Sequence, residues 1–378
     1  MKKETISILC SGVALGVYVP ALIVNNQLQR EGLITDITVL ENLIFEEKRN
    51  NIPNVKTAFH RSFAVALTGQ KLAKDISPSL DPTLVAELIE VWKKEERKKF
   101  IVFSGFWIPV LEAYVRESGF KKMFIHLCHI DADVATSFKP YQADLSCFQH
   151  IKFFNWNDRK IFYCLHIGDQ QPVAYHTRQN RFVIHGGGWG MGTYKDKLSL
   201  LDKKKVPLDV IAYERRDIEN RIQRNRYFMI DPKWNPWEKD SHANYHFPPF
   251  GQVRNEVISS PFLKSDGNIE FSYNQEFPEV YRLICQAKAI ISKPGGATIL
   301  DSLASATPIV LLEPFGEYEK KNALLWQYFG FGISYQAWID SNCSIEILEQ
   351  LHQNLLNAKM NVQNYVEWYY ATSDVSKI

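Results

Sequence analysis

Three apolar runs of strand length each break into glycine and are followed by a segment with helical spacing. They are TISILCSG (residues 5–12), RFVIHGGGWGMG (181–192) and AIISKPGG (289–296). A strand that ends in glycine and feeds a helix is half of a βαβ unit, because parallel strands need a long crossover and a helix supplies it. The runs are mostly apolar, as in strands buried on both faces by helices. One feature, repeated three times, therefore predicts an α/β fold with parallel, helix-covered sheets.

The rest of the chain fills in two such series. After the first run come the strand ITDITVL (34–40), a helix over 55–72, and a helix opening at Asp81-Pro82 and running to about Arg97. Strand FIVFS (100–104), a helix over 109–117 and strand KKMFIHL (121–127) follow. Residues 155–177 break the rhythm with the strand-like KIFYCLHI and the polar GDQQP, which places a domain junction there. The pattern then restarts with RFVIH, LDVIAY, RYFMI, the helix FPEVYRLICQA, AIIS, the helix ATILDSLAS and PIVLLE. Two doubly wound, Rossmann-like domains are expected, 1–177 and 178–360, with ligands beyond the carboxyl ends of their strands. The closing residues 361–378 read as a helix crossing back to the first domain.

The N-terminal stretch admits a second reading. Met1-Lys2-Lys3 followed by an apolar core resembles a targeting segment or a membrane helix. Glu4 interrupts the basic start, no small-x-small site closes the core, and Gly12, Gly16 and Pro20 punctuate the run before it turns polar at NNQLQREG. A strand, a glycine turn, a helix opened by Pro20 and a stop at Gly32 account for every punctuation mark.

Composition narrows the function classes. A net charge of +2 over 378 residues implies no polyanionic partner. The mixed cluster ERRDIENRIQRNR (214–226) reads as a solvated helix face rather than a nucleic-acid site. The 6 cysteines contain no C-x-x-C, so reduced thiols and a cytoplasmic enzyme are expected, without a disulfide framework, metal or transmembrane segment. The 9 tryptophans suit a large, partly apolar ligand, although core packing is the commoner use of them.

The run SKPGGATILDSLASATPIVLLEPFGEYEKKNALLW (292–326) carries the most chemistry. Lys293 ends a strand, Gly295 and Gly296 clear space, and Thr298 lies in the first turn of a helix whose positive end attracts a diphosphate. Asp301, one turn on, is placed to accept both hydroxyls of a ribose. After Pro308 the next strand leads to Glu317, Glu319 and Asn322, polar groups suited to a sugar. In HGGGWGMG, Gly187, Gly188 and Trp189 bring backbone amides close to a ligand, or simply form a tight turn.

Here the chain resembles the GT-B glycosyltransferases, especially the plant-type UDP-glycosyltransferases and the peptidoglycan GlcNAc transferase. Their donor signature, [HR]-x-G-x-x-[ST]-x-x-E followed by proline and P-x-x-x-[DH]-Q-x-x-N, aligns without gaps. Lys293 takes the phosphate-contacting place, Gly295 the glycine, Thr298 the hydroxyl and Asp301 the ribose carboxylate. Glu319 takes the place of glutamine and Asn322 that of asparagine. The second-domain glycine loop looks like residues 186–192, and the first loop, G-x-x-G-H-x-x-P, looks like 12–20, one residue longer, which makes Gly12 a donor-side residue. The resemblance covers most of the chain. It implies a GT-B fold and a hexosyltransferase moving sugar from a nucleotide-sugar, a UDP-sugar first, to a small-molecule or lipid-linked acceptor. The nucleotide-sugar is then a substrate, and no separate cofactor is expected.

Two positions depart from that pattern, and at one of them Tyr318-Glu319 stands where Asp/His-Gln is typical, which leaves the preferred sugar open. Val17 stands where many relatives have the histidine that serves as base, so the proton must go elsewhere. His129 and Asp131 in FIHLCHIDADV are the leading candidates, as a base and its orienting partner; Glu112 is the third, and His126 reads as a core residue. Asp131-x-Asp133 also spells a short metal motif, which the GT-B signature argues against. The missing E-x7-E favours inversion over retention. Rival functions on the same fold are a nucleotide-sugar 2-epimerase or hydrolase, and a sugar-nucleotide-binding protein without turnover.

Overall fold

The computed structural model describes residues 4–71, 75–169, 171–254 and 269–372. Its first sheet begins with β1 (Thr5–Cys10), α1 (Leu15–Arg30) and β2 (Ile34–Val39). Helices α2 (Glu46–Asn50), α3 (Ile52–Arg61), α4 (Phe63–Lys71) and α5 (Pro82–Lys94) lead to β3 (Lys99–Val102). Then come α6 (Ile108–Ser118), β4 (Phe124–His129) and β5 (Phe148–Lys152). The strand order is β2-β1-β3-β4-β5, all parallel, so the chain reverses direction between β1 and β3.

Short strands β6 (Phe154–Asn155), β7 (Lys160–Ile161) and β8 (Tyr163–Cys164) connect to the second sheet. That sheet contains β9 (Phe182–His185), α7 (Tyr194–Lys203), β10 (Leu208–Ala212), β11 (Arg226–Ile230) and β12 (Phe250–Gln252). It continues with α8 (Val280–Gln286), β13 (Ala289–Ser292), α9 (Gly296–Ser305), β14 (Ile309–Leu311), α10 (Glu317–Tyr328) and β15 (Gly332–Ser334). The chain closes with α11 (Tyr335–Asp340), α12 (Ile345–Lys359), β16 (Gln363–Asn364) and α13 (Tyr365–Thr372). The order β12-β11-β10-β9-β13-β14-β15 puts the second reversal between β9 and β13, so both glycine loops of this half flank it. Beyond β15 the chain returns to the first half: β16 pairs with β8, and Tyr365 bonds the Nδ1 of His126 at 3.0 Å.

Helix α1 explains the ambiguity of the N-terminal stretch. It is not opened by Pro20; it starts at Leu15, and Gly16 and Pro20 lie inside it. An internal proline forfeits a backbone bond at about 3 kcal/mol, but Leu15, Tyr18, Ala21, Leu22, Ile23 and Val24 are all buried along the helix, which offsets that loss. One apolar core joins Tyr18 and Leu22 of α1 to Ile299 and Leu303 of α9 and to Trp326. A helix apolar on every side is one packed on every side. Among the described residues, no helix is long and apolar enough to cross a membrane.

Two elements differ from expectation. The helix expected over 55–72 is broken at Ser62 into α3 and α4, which lean across to the second sheet. Strand β5 escapes a reading based on apolar runs because Gln149, His150 and Lys152 are exposed on an edge.

Candidate active site between the two sheets

The loops after β1, β4, β9 and β13 meet face to face. Gly188 packs on Leu15, where a Cβ would lie 2.6 Å from the leucine Cβ, and Gly12 packs equally closely on Pro236. Gly190 has φ +60°, and a side chain there would collide with Tyr213 and His60. At Gly296 a Cβ would stand 3.1 Å from an Asp131 carboxylate oxygen, so the loop after β4 lies directly on the start of α9.

Gly295 caps α9 without a side-chain bond, and among the described residues no acceptor takes the N–H groups of Gly296, Ala297 and Thr298. Thr298 is buried. Open amides at the positive end of a ten-residue helix suit an oxyanion. Lys293 runs between the two glycine loops, its Nζ 3.5 Å from where a Gly187 Cβ would be and 3.4 Å from that of Gly295.

Lys293 is not a bare cation. Its ammonium is bonded to Glu319, whose other oxygen accepts the amide of Phe315 at 2.7 Å, and both side chains are buried. Asn322 is equally committed. Its amide donates to Asp131 at 2.7 Å and to the Pro294 carbonyl at 2.8 Å, while its oxygen accepts the N–H of Ala132 at 2.6 Å. Asn322 therefore staples the first half of the chain to the KPGG loop rather than standing open to a sugar. Glu317 is turned to solvent, 71% exposed beside Lys320, because two helical residues put it on the face opposite Glu319.

The amides of the first loop are also occupied. Glu41, which follows β2, accepts from Gly12 N at 2.7 Å, Val13 N at 3.1 Å and the Ser11 hydroxyl at 2.6 Å. Burial pushes its carboxyl up despite these bonds. Gly12 thus borders the cleft, but its N–H is spent on an internal carboxylate. The only sequence sign of Glu41 was a carboxylate directly after an apolar strand.

His129 and Asp131 do not form a pair. His129 turns toward β5, with Nε2 2.9 Å from His150 Nδ1 and its ring centroid 4.2 Å from that of Phe138. Burial, with His150 and Lys152 nearby, lowers its pKa to about 3. Asp131 turns the other way, toward Asn322, and burial raises its carboxyl to about 7 against the bond from Asn322. Asp301 lies one turn into α9 as expected, and burial raises it to about 8. Val17 sits in the first turn of α1, packed against the core.

Helices α3 and α4 form an arm over these loops that the sequence did not announce. His60 lies 2.8 Å from the Gly190 carbonyl and 2.9 Å from Asp217. Phe59 packs on Trp189, and Phe63 on Phe315, with ring centroids 5.8 and 6.2 Å apart. Trp189 therefore faces a cavity under the arm, while Gly187 faces Lys293. Among the described residues no cluster of His, Cys, Asp and Glu has the makings of a metal site.

No protein-family model and no curated protein matches this sequence. Solved structures do match its fold. Acinetobacter baumannii MurG aligns with a TM-score of 0.52 and 12% identity over 99% of this chain and 100% of its own. The glycosyltransferase VinC in complex with dTDP aligns at 0.55 and 9%, over 99% of each chain. Two mainly parallel sheets, the second with the antiparallel edge strand β12, each with its reversal point turned to a shared cleft, and a C-terminal segment returning to the first half make this a GT-B fold with two Rossmann-like domains.

Proposed function

We propose that the protein is a glycosyltransferase that moves a hexose from a nucleotide-sugar, a UDP-sugar first, to an acceptor hydroxyl. The observation that carries this reading is the start of α9. Three amides without acceptors among the described residues stand at the sheet's reversal point, beside Lys293 and opposite the loop bearing Asp131. A nucleoside diphosphate leaving group matches that arrangement, since fixed amides and a helix end stabilise charge as it develops without reorganising. Asp301 is the proposed ribose contact.

In this reading the acceptor oxygen attacks the anomeric carbon as the bond to the diphosphate breaks, inverting the configuration. The hydroxyl proton passes to Asp131, whose carboxyl near 7 suits a base working at neutral pH. The diphosphate leaves carrying the bonding electrons and is held by the α9 amides. Domain limits at about 177 and 360 and a cytoplasmic setting belong to the same proposal.

The test is mass spectrometry of UDP-, GDP- and dTDP-sugars with the purified chain, repeated with cell extract as acceptor. Sugar transfer dependent on extract is expected. Release of free nucleotide without extract would point to a hydrolase or epimerase, and binding without any turnover to a carrier. Absence of binding to every nucleotide-sugar would refute the donor site.

A further inference from the structure

Beside Trp189 the cleft holds a cavity of about 470 Å³, within the range that takes a small organic ligand. Its flat walls are the rings of Trp189, Trp234 and Trp237. Aromatic walls of this kind favour a ring laid against them.

The charges along the cavity do not balance. Lys56, Arg61 and Arg216 line it against one carboxylate, Glu214, and Arg61 already bonds that carboxylate at 3.2 Å. Lys56 lies with its ammonium 5.0 Å from the ring centroid of Tyr213, and no carboxylate pairs with it among the described residues. Burial lowers its pKa, as expected of a cation drawn from water without a counter-ion. An evolved cavity with aromatic walls and surplus positive charge is completed by an anion that carries a ring.

We propose that this cavity seats the acceptor, and that the acceptor is a ring-bearing organic anion whose phosphate or carboxylate is held by Lys56 and Arg216 while its ring lies against the tryptophans. The word acceptor rests on the glycosyltransferase reading; the anion site itself does not. The acidic group is the anchor, and the hydroxyl that takes the sugar is a separate group of the same molecule.

Calorimetry on the full chain tests this with 1-naphthyl phosphate, 1-naphthoate and neutral 1-naphthol, alongside UDP and dTDP. At least one anion is expected to bind tenfold or more tightly than naphthol, and comparison of the two anions identifies the preferred acidic group. Lys56→Met and Arg216→Ala should each weaken that anion about tenfold, the scale of one charge-assisted hydrogen bond, and leave UDP and dTDP affinity unchanged. Trp237→Ala should weaken all three naphthyl probes. Equal binding of naphthol and both anions, no binding of any probe, or unchanged anion binding in both cation variants would overturn the proposal. Arg216 is exposed, so that variant folds even if Lys56→Met does not. Loss of nucleotide binding with the naphthyl anions still bound would refute the donor reading and leave the anion site standing.

Discussion

Replacing Lys293 removes the proposed phosphate contact only after it has broken a buried ion pair, and the two effects separate in measurement. Lys293 and Glu319 have side chains 10% and 2% exposed and bond each other between the glycine loops. Lys293→Ala leaves the Glu319 carboxylate buried with only the Phe315 amide at 2.7 Å, and removing one partner of such a pair costs about 3–5 kcal/mol. Glu319→Gln is milder, about 1–3 kcal/mol, because the amide oxygen still accepts from Phe315. The double variant Lys293→Ala, Glu319→Gln leaves neither charge of the pair buried. Its loss should fall below the sum of the single losses by about 2 kcal/mol or more. Urea denaturation of the four proteins measures this coupling; additive losses, or a Lys293→Ala protein as stable as wild type, would refute it. In the proposed donor site the same pair should also set nucleotide affinity. Glu319→Gln releases the ammonium toward the α9 start, so UDP or dTDP should bind about tenfold more tightly by calorimetry. Tighter binding in the less stable protein is the signature of a cation shared between a carboxylate and a ligand.

Asp301 should make nucleotide binding depend on pH. Its carboxyl, raised by burial to about 8, holds a proton at neutral pH, so affinity that uses the carboxylate should rise from pH 6 to 9 and become flat in Asp301→Asn. The same shift, from an ordinary 3.8, stabilises the fold at low pH and is lost as pH rises toward 8, which urea titrations at pH 5 and 8.5 would detect. Asp131→Asn should lower kcat by about 10²–10⁴ with donor affinity retained, whereas His129→Ala should change stability and leave kcat within a few fold, since His129 bonds His150 and not Asp131; equal kcat losses would restore the pair. Arg178→Ala should destabilise the second half by about 3 kcal/mol or more in urea, because the buried guanidinium serves the carbonyls of Val173, Ala287 and Ser305 and the hydroxyl of Thr307.

What could be read in the chain alone was whatever a few neighbouring residues decide. The strands at 5–10, 182–185 and 289–292, the glycines that end them and the helix after KPGG follow from local apolar runs and backbone freedom, and together they fix two parallel sheets. Position at a sheet's reversal point follows from strand order, so the neighbourhood of Lys293, Gly295, Gly296 and Thr298 was legible too. The partners of those residues were not. Asn322 meets Asp131 across 191 positions and His60 meets Gly190 across 130, separations over which no pattern in a sequence carries orientation. His129 and Asp131 looked like a pair because they are two residues apart, but packing turned one toward β5 and the other toward α10. Glu319 looked open to a sugar and is folded onto Lys293. The N-terminal apolar run looked the same whether bound for a membrane or a core, since either surroundings reward the same side chains; burial between β1 and α9 decided it. Local chemistry chose the elements, and only their packing chose which charge would neutralise which.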